Sequence, residues 1–160
     1  MPIQMPPISE MPYRQGANAI VLNSDGEVFI VQKSNYKDNE WDLPGGGLED
    51  DETPAIGVLR ELEEELGSKD FEVIAQSKYI NKFEWPLDVI ERGFSKRNKW
   101  YRGQEKYQFL VKFNGNKNDI KLQEEEIKQA KWVKPSELET HFVFPGQAQN
   151  ARNLIKEFSL

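Results

Sequence analysis

The clearest alternation of apolar and polar positions lies in residues 107–113, which predicts a strand with one strongly apolar face. Two other apolar runs, residues 17–23 and 27–33, are separated by residues 24–26, which contain an Asp-Gly pair. This pair between two β-rich runs is typical of a hairpin turn. Further extended segments are predicted at residues 41–44, 71–79 and 130–133.

Two segments have the period of an amphipathic helix. In the first, Thr53 is a suitable N-cap, Pro54 fits the first turn, and Gly67 is a typical stop, so a helix is predicted between Thr53 and Gly67. The second helix is predicted at residues 147–158, and a single helical turn at residues 135–138. The apolar stripe of the first helix consists of Ala55, Leu59, Leu62 and Leu66.

The remaining segments define the predicted organisation of the chain. Residues 1–12 contain four prolines and are predicted to form an extended N-terminal arm. Residues 81–105 have no clear period and are predicted to form a long loop. Residues 13–160 are expected to form a single domain. Because strands and helices are interleaved, we expect an α/β or α+β fold with a mixed sheet.

Composition excludes several kinds of chemistry. The chain has no cysteine and one histidine, so disulfides, thiolate nucleophiles and histidine-rich metal clusters are excluded, and a Ser-His-Asp triad is disfavoured. The apolar runs are too short to cross a membrane, and the first residues do not resemble a signal peptide. We therefore expect a cytoplasmic protein that does not bind membranes.

Charge is unevenly distributed along the chain. The net charge of −6 disfavours a surface for duplex DNA. However, ten of the 27 acidic residues lie between Glu49 and Glu72, whereas residues 92–106 are rich in Lys and Arg. An acidic cluster suits divalent cations and a basic cluster suits phosphates, so one molecule with both is suited to a metal–polyphosphate complex. The alternative is that each cluster is a solvated surface.

Three glutamates of the predicted helix, Glu61, Glu64 and Glu65, have the spacing i, i+3, i+4 and are expected to lie opposite the apolar stripe. Their charges repel one another, and a bound cation would turn this repulsion into attraction. Gly57 lies on the same side, where a glycine indicates close approach of another group. A solvated acidic face remains the alternative.

The segment from Gly46 to Gly67 is similar to the signature of the Nudix hydrolases. In that signature a glycine is followed after five residues by glutamate and, after seven more, by Arg-Glu-apolar-x-Glu-Glu-x-Gly. Here Gly46, Glu52 and residues 60–67 match each of these positions. Ser68 departs from the final apolar position.

This resemblance implies a fold, a reaction and a set of site residues. The implied fold is an α/β/α sandwich with a mixed β-sheet, and the implied reaction is metal-dependent hydrolysis of a phosphoanhydride bond. Two or three Mg²⁺ ions are expected, with Mn²⁺ as an alternative. Glu52 and Arg60 are expected to hold the loop to the helix, and Glu61, Glu64 or a downstream acid is expected to be the general base. The implied metal-binding residues are Gly45, Glu61, Glu64 and Glu65.

Further segments resemble one branch, the bacterial RNA 5′-pyrophosphohydrolases and dinucleoside polyphosphate hydrolases. These segments are Tyr13-Arg14, residues 101–110, and Glu126 six residues before Trp132. The resemblance adds Glu126 as a metal ligand. Gly45 and the Gln32-Lys33 pair depart from the branch, which has glutamine and two arginines at these positions. The implied substrate-binding residues are Arg14, Lys33, Gly46, Arg102 and Gln104.

The leading hypothesis is thus a Nudix pyrophosphohydrolase that acts on 5′-triphosphorylated RNA or a dinucleoside polyphosphate. The basic, aromatic residues 92–107 favour it because they suit a single-stranded nucleotide chain, with Phe94, Trp100 and Tyr101 available to stack on bases. One alternative is a hydrolase of small nucleotides, such as a nucleoside triphosphate or a nucleotide sugar. Another is a non-catalytic module that binds nucleotides or RNA. The oligomeric state is left open.

Overall fold

The computed structural model describes residues 4–160, so residues 1–3 of the predicted N-terminal arm lie outside the described residues. The rest of that segment contains a short 3₁₀ turn, Ile8–Glu10. The strands of the described part are β1 (Tyr13–Leu22), β2 (Val28–Lys33), β3 (Gly45–Gly47), β4 (Phe71–Gln76), β5 (Asn81–Glu84), β6 (Gly103–Phe113) and β7 (Ile127–Val133). The helices are α1 (Pro54–Leu66), α2 (Leu87–Arg97), α3 (Leu138–His141) and α4 (Gln147–Glu157).

The strands form one mixed sheet, as predicted. Its main order is β4-β6-β1-β2-β7, with β3 paired to β1 and β5 paired to β6. The β1–β6 pair is parallel, and the other pairs are antiparallel. Both β1 and β6 begin earlier than predicted, because their polar first residues pair with each other and place Arg14 beside Gln104. The sheet therefore extends polar side chains beyond its apolar centre.

Helices cover both faces of the sheet, which gives the predicted α/β/α sandwich. Alternate residues of β1 contribute to two cores, since successive strand side chains point to opposite faces. One core lies under α1 and includes Ala19, Val21, Leu62, Leu66, Phe109 and Val111. The other lies under α3 and α4 and includes Ile20, Ile30, Trp41, Leu138, Ala151 and Leu154. None of the described helices is both long and apolar enough to span a bilayer.

Helix α1 has the boundaries that its sequence predicts. The Thr53 hydroxyl accepts a hydrogen bond from the Ile56 amide at 3.3 Å, which caps the first turn. Gly67 ends the helix in the left-handed conformation with φ of 66°, and its amide donates to the Glu63 carbonyl. The signature glutamates are thus carried on a rigid, capped helix.

The prediction of a long loop over residues 81–105 is wrong. The segment forms β5, α2 and the start of β6. Pro86 precedes α2, and Asn98 ends it in the left-handed conformation with φ of 58°. Only Ile90 and Gly93 are buried on this helix. Because one of these two buried residues is a glycine, the segment shows no apolar periodicity in the sequence.

The interpretation of Gly57 also changes. A Cβ atom at this position would contact Leu48 Cδ2 and would lie 2.8 Å from Glu52 Oε1. The group that approaches Gly57 is therefore the loop before α1, and the sequence-based expectation of an unspecified close approach is explained by packing within the chain.

We expect Gly57→Ala to destabilise the protein by about 1–3 kcal/mol, because the methyl group would overpack the contact between the loop and α1. Gly93→Ala is the matched control in α2. Its Cβ would lie 3.0 Å from Nη1 at the far end of the Arg97 side chain and in ordinary contact with Trp85 Cζ3 at 3.8 Å, so alanine should be neutral or stabilising by up to about 1 kcal/mol. Urea unfolding of both variants measures the difference. Equal effects at the two positions would contradict the packing explanation.

Candidate active site

A bidentate ion pair joins the loop before α1 to the helix. Arg60 Nε donates to Glu52 Oε2 at 2.6 Å, and Arg60 Nη2 donates to Glu52 Oε1 at 2.9 Å. Arg60 Nη2 also donates to the Gly47 carbonyl of β3 at 3.0 Å. These bonds from Arg60 hold the pKa of the Glu52 carboxyl below its usual range. One guanidinium therefore fixes loop, strand and helix relative to one another.

The same guanidinium contacts two of the signature glutamates. Arg60 Nη1 lies 3.1 Å from Glu61 Oε1 and 3.2 Å from Glu64 Oε2. The Glu61 side chain is 13% exposed, and its desolvation raises the pKa of its carboxyl, whereas Glu64 is 56% exposed. A Cβ atom at Gly46 would lie 2.6 Å from Glu61 Oε2. Glycine in β3 therefore allows the Glu61 carboxylate to lie against the strand backbone.

Glu65 does not lie on an exposed face, so that part of the sequence prediction is wrong. Its side chain is 1% exposed, because β3 and the end of β2 cover this side of α1 as well as the apolar stripe. The Gly45 amide donates to Glu65 Oε2 at 3.4 Å, and Lys33 Nζ lies 3.9 Å from Glu65 Oε1. Burial raises the pKa of Glu65 to about 7, although the charge of Lys33 opposes the rise.

The predicted metal-binding residues supply hard oxygen donors in one region. Glu61 and Glu65 project from α1, and the Gly45 carbonyl accepts from Lys33 Nζ at 3.3 Å beside Glu65. The charge of Glu126 contributes to the raised pKa of Glu65, and the Glu126 carbonyl accepts from the Ser34 amide at 2.8 Å.

Within residues 4–160, no three acidic or histidine side chains converge as a preformed metal cage. In proteins Mg²⁺ is commonly held by one or two carboxylates together with water and substrate phosphate oxygens. Buried carboxylates beside a backbone carbonyl therefore fit such an ion.

Arg14 faces the same region from the other side of β3. A Cβ atom at Gly47 would lie 2.5 Å from Arg14 Cζ, so the guanidinium lies flat on this glycine. No ion pair or hydrogen bond holds it among residues 4–160. Burial lowers the pKa of Arg14, and the charge of Arg97 lowers it further. Gln104, which is 6% exposed, lies over Gly16 beside Arg14. The charge of Glu61 acts on Arg14 in the opposite sense to that of Arg97, without an ion pair or hydrogen bond between the two side chains.

Arg102 is engaged elsewhere. Its Nη2 lies 2.9 Å from Glu84 Oε1, and its guanidinium lies 5.0 Å from the Tyr13 ring. Tyr13 also donates a hydrogen bond to Glu84. Two of the aromatic residues expected to be available for base stacking are likewise occupied, since Phe94 and Trp100 stack on each other at 4.0 Å. These groups hold α2 and the first residues of β6 in place.

Sequence reasoning did not single out two further basic residues of the site. Lys106 is 14% exposed, with Nζ 3.9 Å from Asp42 Oδ2, and burial lowers its pKa together with the charges of Lys33 and Arg14. The alternation along β6 puts Lys106 on the same face as Gln104, and this spacing could have identified Lys106 from the sequence. Arg97 acts on Arg14 from the end of α2, and the sequence indicated it only as one of the basic residues 92–106 because that helix was not predicted.

A family model for the NUDIX domain matches residues 12–158. The chain belongs to the Nudix family. The predicted Nudix fold and the assignment to enzymes that hydrolyse phosphoanhydride bonds are thereby confirmed.

Curated relatives and solved structures agree with this assignment. Proteins named RNA pyrophosphohydrolase from Rickettsia africae and Rickettsia prowazekii are each 32% identical over 151 residues, which cover 93% of this chain and 91% of theirs. The E. coli dihydroneopterin triphosphate pyrophosphohydrolase matches with a TM-score of 0.69 at 15% identity, covering 91% of this chain and 99% of that one. A C. elegans Ap4A hydrolase matches with a TM-score of 0.64 at 15% identity, covering 90% and 98%.

The raised pKa of Glu65 predicts how stability depends on pH in the metal-free Nudix domain. A carboxyl whose pKa rises from 4.5 to about 7 binds its proton more tightly in the folded state, so stability falls as the pH increases through that window. The change corresponds to on the order of 3 kcal/mol.

We therefore expect Glu65→Gln to match the wild type at pH 4.5 and to be more stable than the wild type at pH 8, in the presence of a chelator. Glu64→Gln on the exposed side of α1 is the control and should show no such pH-dependent gain. Urea unfolding at the two pH values measures both. If the stability of the wild type does not fall relative to that of Glu65→Gln between pH 4.5 and pH 8, the raised pKa of Glu65 is contradicted.

Proposed function

We propose that this Nudix hydrolase removes phosphate from the 5′-triphosphorylated end of RNA in an Mg²⁺-dependent reaction. The observation that carries the proposal is the placement of buried carboxylates beside Arg14, a half-buried guanidinium that forms no ion pair among residues 4–160. Similarity to proteins named RNA pyrophosphohydrolase over 93% of the chain supports the choice of substrate. A dinucleoside polyphosphate presents the same phosphate chain and is the second substrate to be tested.

The acidic side of the site is suited to the metal. Glu61, Glu65 and the Gly45 carbonyl, with Glu126 nearby and Glu64 at the rim, are the proposed ligands. Bound Mg²⁺ supplies charge neutralisation of the phosphates and lowers the pKa of a coordinated water. The protein contributes the rigid placement of these oxygens, because Arg60 fixes α1 against β3 through Glu52 and Gly47.

The basic side is suited to the phosphates. The charges of Arg14 and Lys33 both act on Lys106, and burial lowers the pKa of both Arg14 and Lys106. Charged groups in this state gain more from an incoming anion than solvated lysines do, since their desolvation has already occurred in the free protein. We assign Arg14 and Lys33 to the phosphate chain, with Gln104 and Gly46 lining its path.

Helix α2 favours RNA over a small nucleotide. Arg97 at its end is close enough to lower the pKa of Arg14, and Arg92, Lys96 and Lys99 are exposed along the same segment. An RNA strand that leaves the site in this direction would meet these charges, whereas a small nucleotide would not reach them. Because Phe94 and Trp100 stack on each other, phosphate contacts rather than base stacking carry this part of the proposal.

A product assay tests the function. The purified protein is incubated with 5′-triphosphorylated RNA, its diphosphorylated form, diadenosine tetraphosphate, ATP and ADP-ribose, each with Mg²⁺, with Mn²⁺ or with a chelator. We expect conversion of the RNA to a 5′-monophosphate to be the fastest reaction and to require metal. Faster cleavage of a small nucleotide would assign the enzyme to that substrate. Inactivity on all five would support a binding module.

Glu64→Gln should lower kcat on the preferred substrate by on the order of 10²-fold while the protein stays folded, because Glu64 is exposed and proposed to act on metal or water. Glu63→Gln is the matched control on α1, since Glu63 pairs with Lys69 at 3.6 Å on the other side. Its kcat should stay near that of the wild type. Retention of more than half of the wild-type rate by Glu64→Gln would overturn the assignment of this glutamate.

The two arginines expected to bind substrate should differ. Arg14→Ala should raise KM by about tenfold or more, because a charge-assisted hydrogen bond to phosphate is worth roughly 1.5–3 kcal/mol. Arg102→Ala should raise KM only slightly, since Glu84 holds this guanidinium. KM measured at several salt concentrations should show a reduced salt slope for Arg14→Ala alone. Equal losses of affinity and of salt slope in both variants would place Arg102 at the phosphates as well.

A further inference from the structure

Lys33, the last residue of β2, contacts two of the proposed metal ligands at once. Its ammonium group donates to the Gly45 carbonyl at 3.3 Å and lies 3.9 Å from Glu65 Oε1. The lysine side chain is 32% exposed, whereas the glutamate side chain is 1% exposed. The lysine therefore reaches inward from the partly exposed surface to a carboxylate that solvent does not reach.

Glu65 depends on this contact. Among residues 4–160, Lys33 is the only basic side chain that forms an ion pair with it, and the Gly45 amide adds a weak hydrogen bond at 3.4 Å. A buried carboxylate without a nearby positive charge is strongly disfavoured. The charge of Lys33 also acts on Glu61.

We propose that Lys33 is a built-in counter-ion that competes with the divalent metal for the Gly45 carbonyl and Glu65. The proposal rests on the metal site of the proposed function. An ammonium group and a divalent ion repel each other strongly at such short range in a partly buried site, so both cannot contact the same two oxygens. Binding of the metal therefore displaces the ammonium group.

The competition has two consequences for the enzyme. Lys33 stabilises the metal-free fold and lowers the affinity for metal. Once displaced, its ammonium group remains available to the basic side of the site, where its charge already acts on Lys106, and adds positive charge for the phosphate chain. Metal binding thus prepares the basic side of the site, and the two ligands bind cooperatively.

Metal binding and stability measured in Lys33→Gln test the proposal. Mn²⁺ affinity is determined by electron paramagnetic resonance under nitrogen at pH 8.5, where the carboxylates are charged. We expect Lys33→Gln to bind Mn²⁺ on the order of tenfold more tightly than the wild type, which is the size of effect that one like charge produces in a partly buried site. Lys33→Arg, which retains the charge, should bind no more tightly than the wild type. Lys112, an exposed residue of β6, provides the matched control, and Lys112→Gln should bind Mn²⁺ with the affinity of the wild type.

Thermal unfolding supplies a second, independent readout. In a chelator, Lys33→Gln should unfold at a lower temperature than the wild type, and Mg²⁺ should raise its midpoint by more than it raises that of the wild type. Lys33→Arg should keep the wild-type midpoint in a chelator. If Lys33→Gln does not fold, tighter Mn²⁺ binding by Lys33→Arg would still overturn the competition.

The outcomes separate this inference from the proposed function. If the wild type and Glu61→Gln bind Mn²⁺ equally weakly, the metal site itself is wrong. If Glu61→Gln weakens Mn²⁺ binding but Lys33→Gln binds with wild-type or lower affinity, the metal site stands and the competition is overturned.

Discussion

The ion pair between Arg60 and Glu52 is the interaction on which the rest of the site depends. It is bidentate, its glutamate side chain is 8% exposed, and the same guanidinium also holds the Gly47 carbonyl and contacts Glu61 and Glu64. This one group ties the glycine strand β3, which also pairs with β1, directly to α1. Without it, the Gly45 carbonyl and the carboxylates of α1 would be held less precisely relative to one another, and a common ligand would bind more weakly.

The site holds charges of both signs in states that burial disfavours. Desolvation raises the pKa of Glu61 and Glu65 and lowers that of Arg14 and Lys106. Such groups reduce the stability of the free protein and strengthen its interaction with an oppositely charged ligand, which is common at functional sites. Acidic and basic groups lie on either side of β3, and glycines in this strand let both approach its backbone. In a metal–polyphosphate complex, the metal cation complements the acidic groups and the phosphates complement the basic groups.

Much of the fold follows from local signals in the sequence. The caps at Thr53 and Gly67 determine α1, and the alternation around Phe109 determines the centre of β6, because each signal concerns neighbouring residues only. The polar starts of β1 and β6 gave no such signal, since their strand conformation comes from pairing between segments far apart in the chain. Helix α2 was missed for a related reason. It buries few side chains, and one of them is a glycine.

The sequence by itself determined the family, the mixed α/β architecture, the helix that carries the glutamates and the pairing of Glu52 with Arg60, because these depend on short-range spacing and on opposite charges within one motif. Only the tertiary structure decided that Glu65 is buried against Lys33, that Arg102 is held by Glu84, and that Lys106 and Arg97 join Arg14. Each of these depends on which strand or helix covers a given side chain, and burial then decides which charges remain available for a ligand.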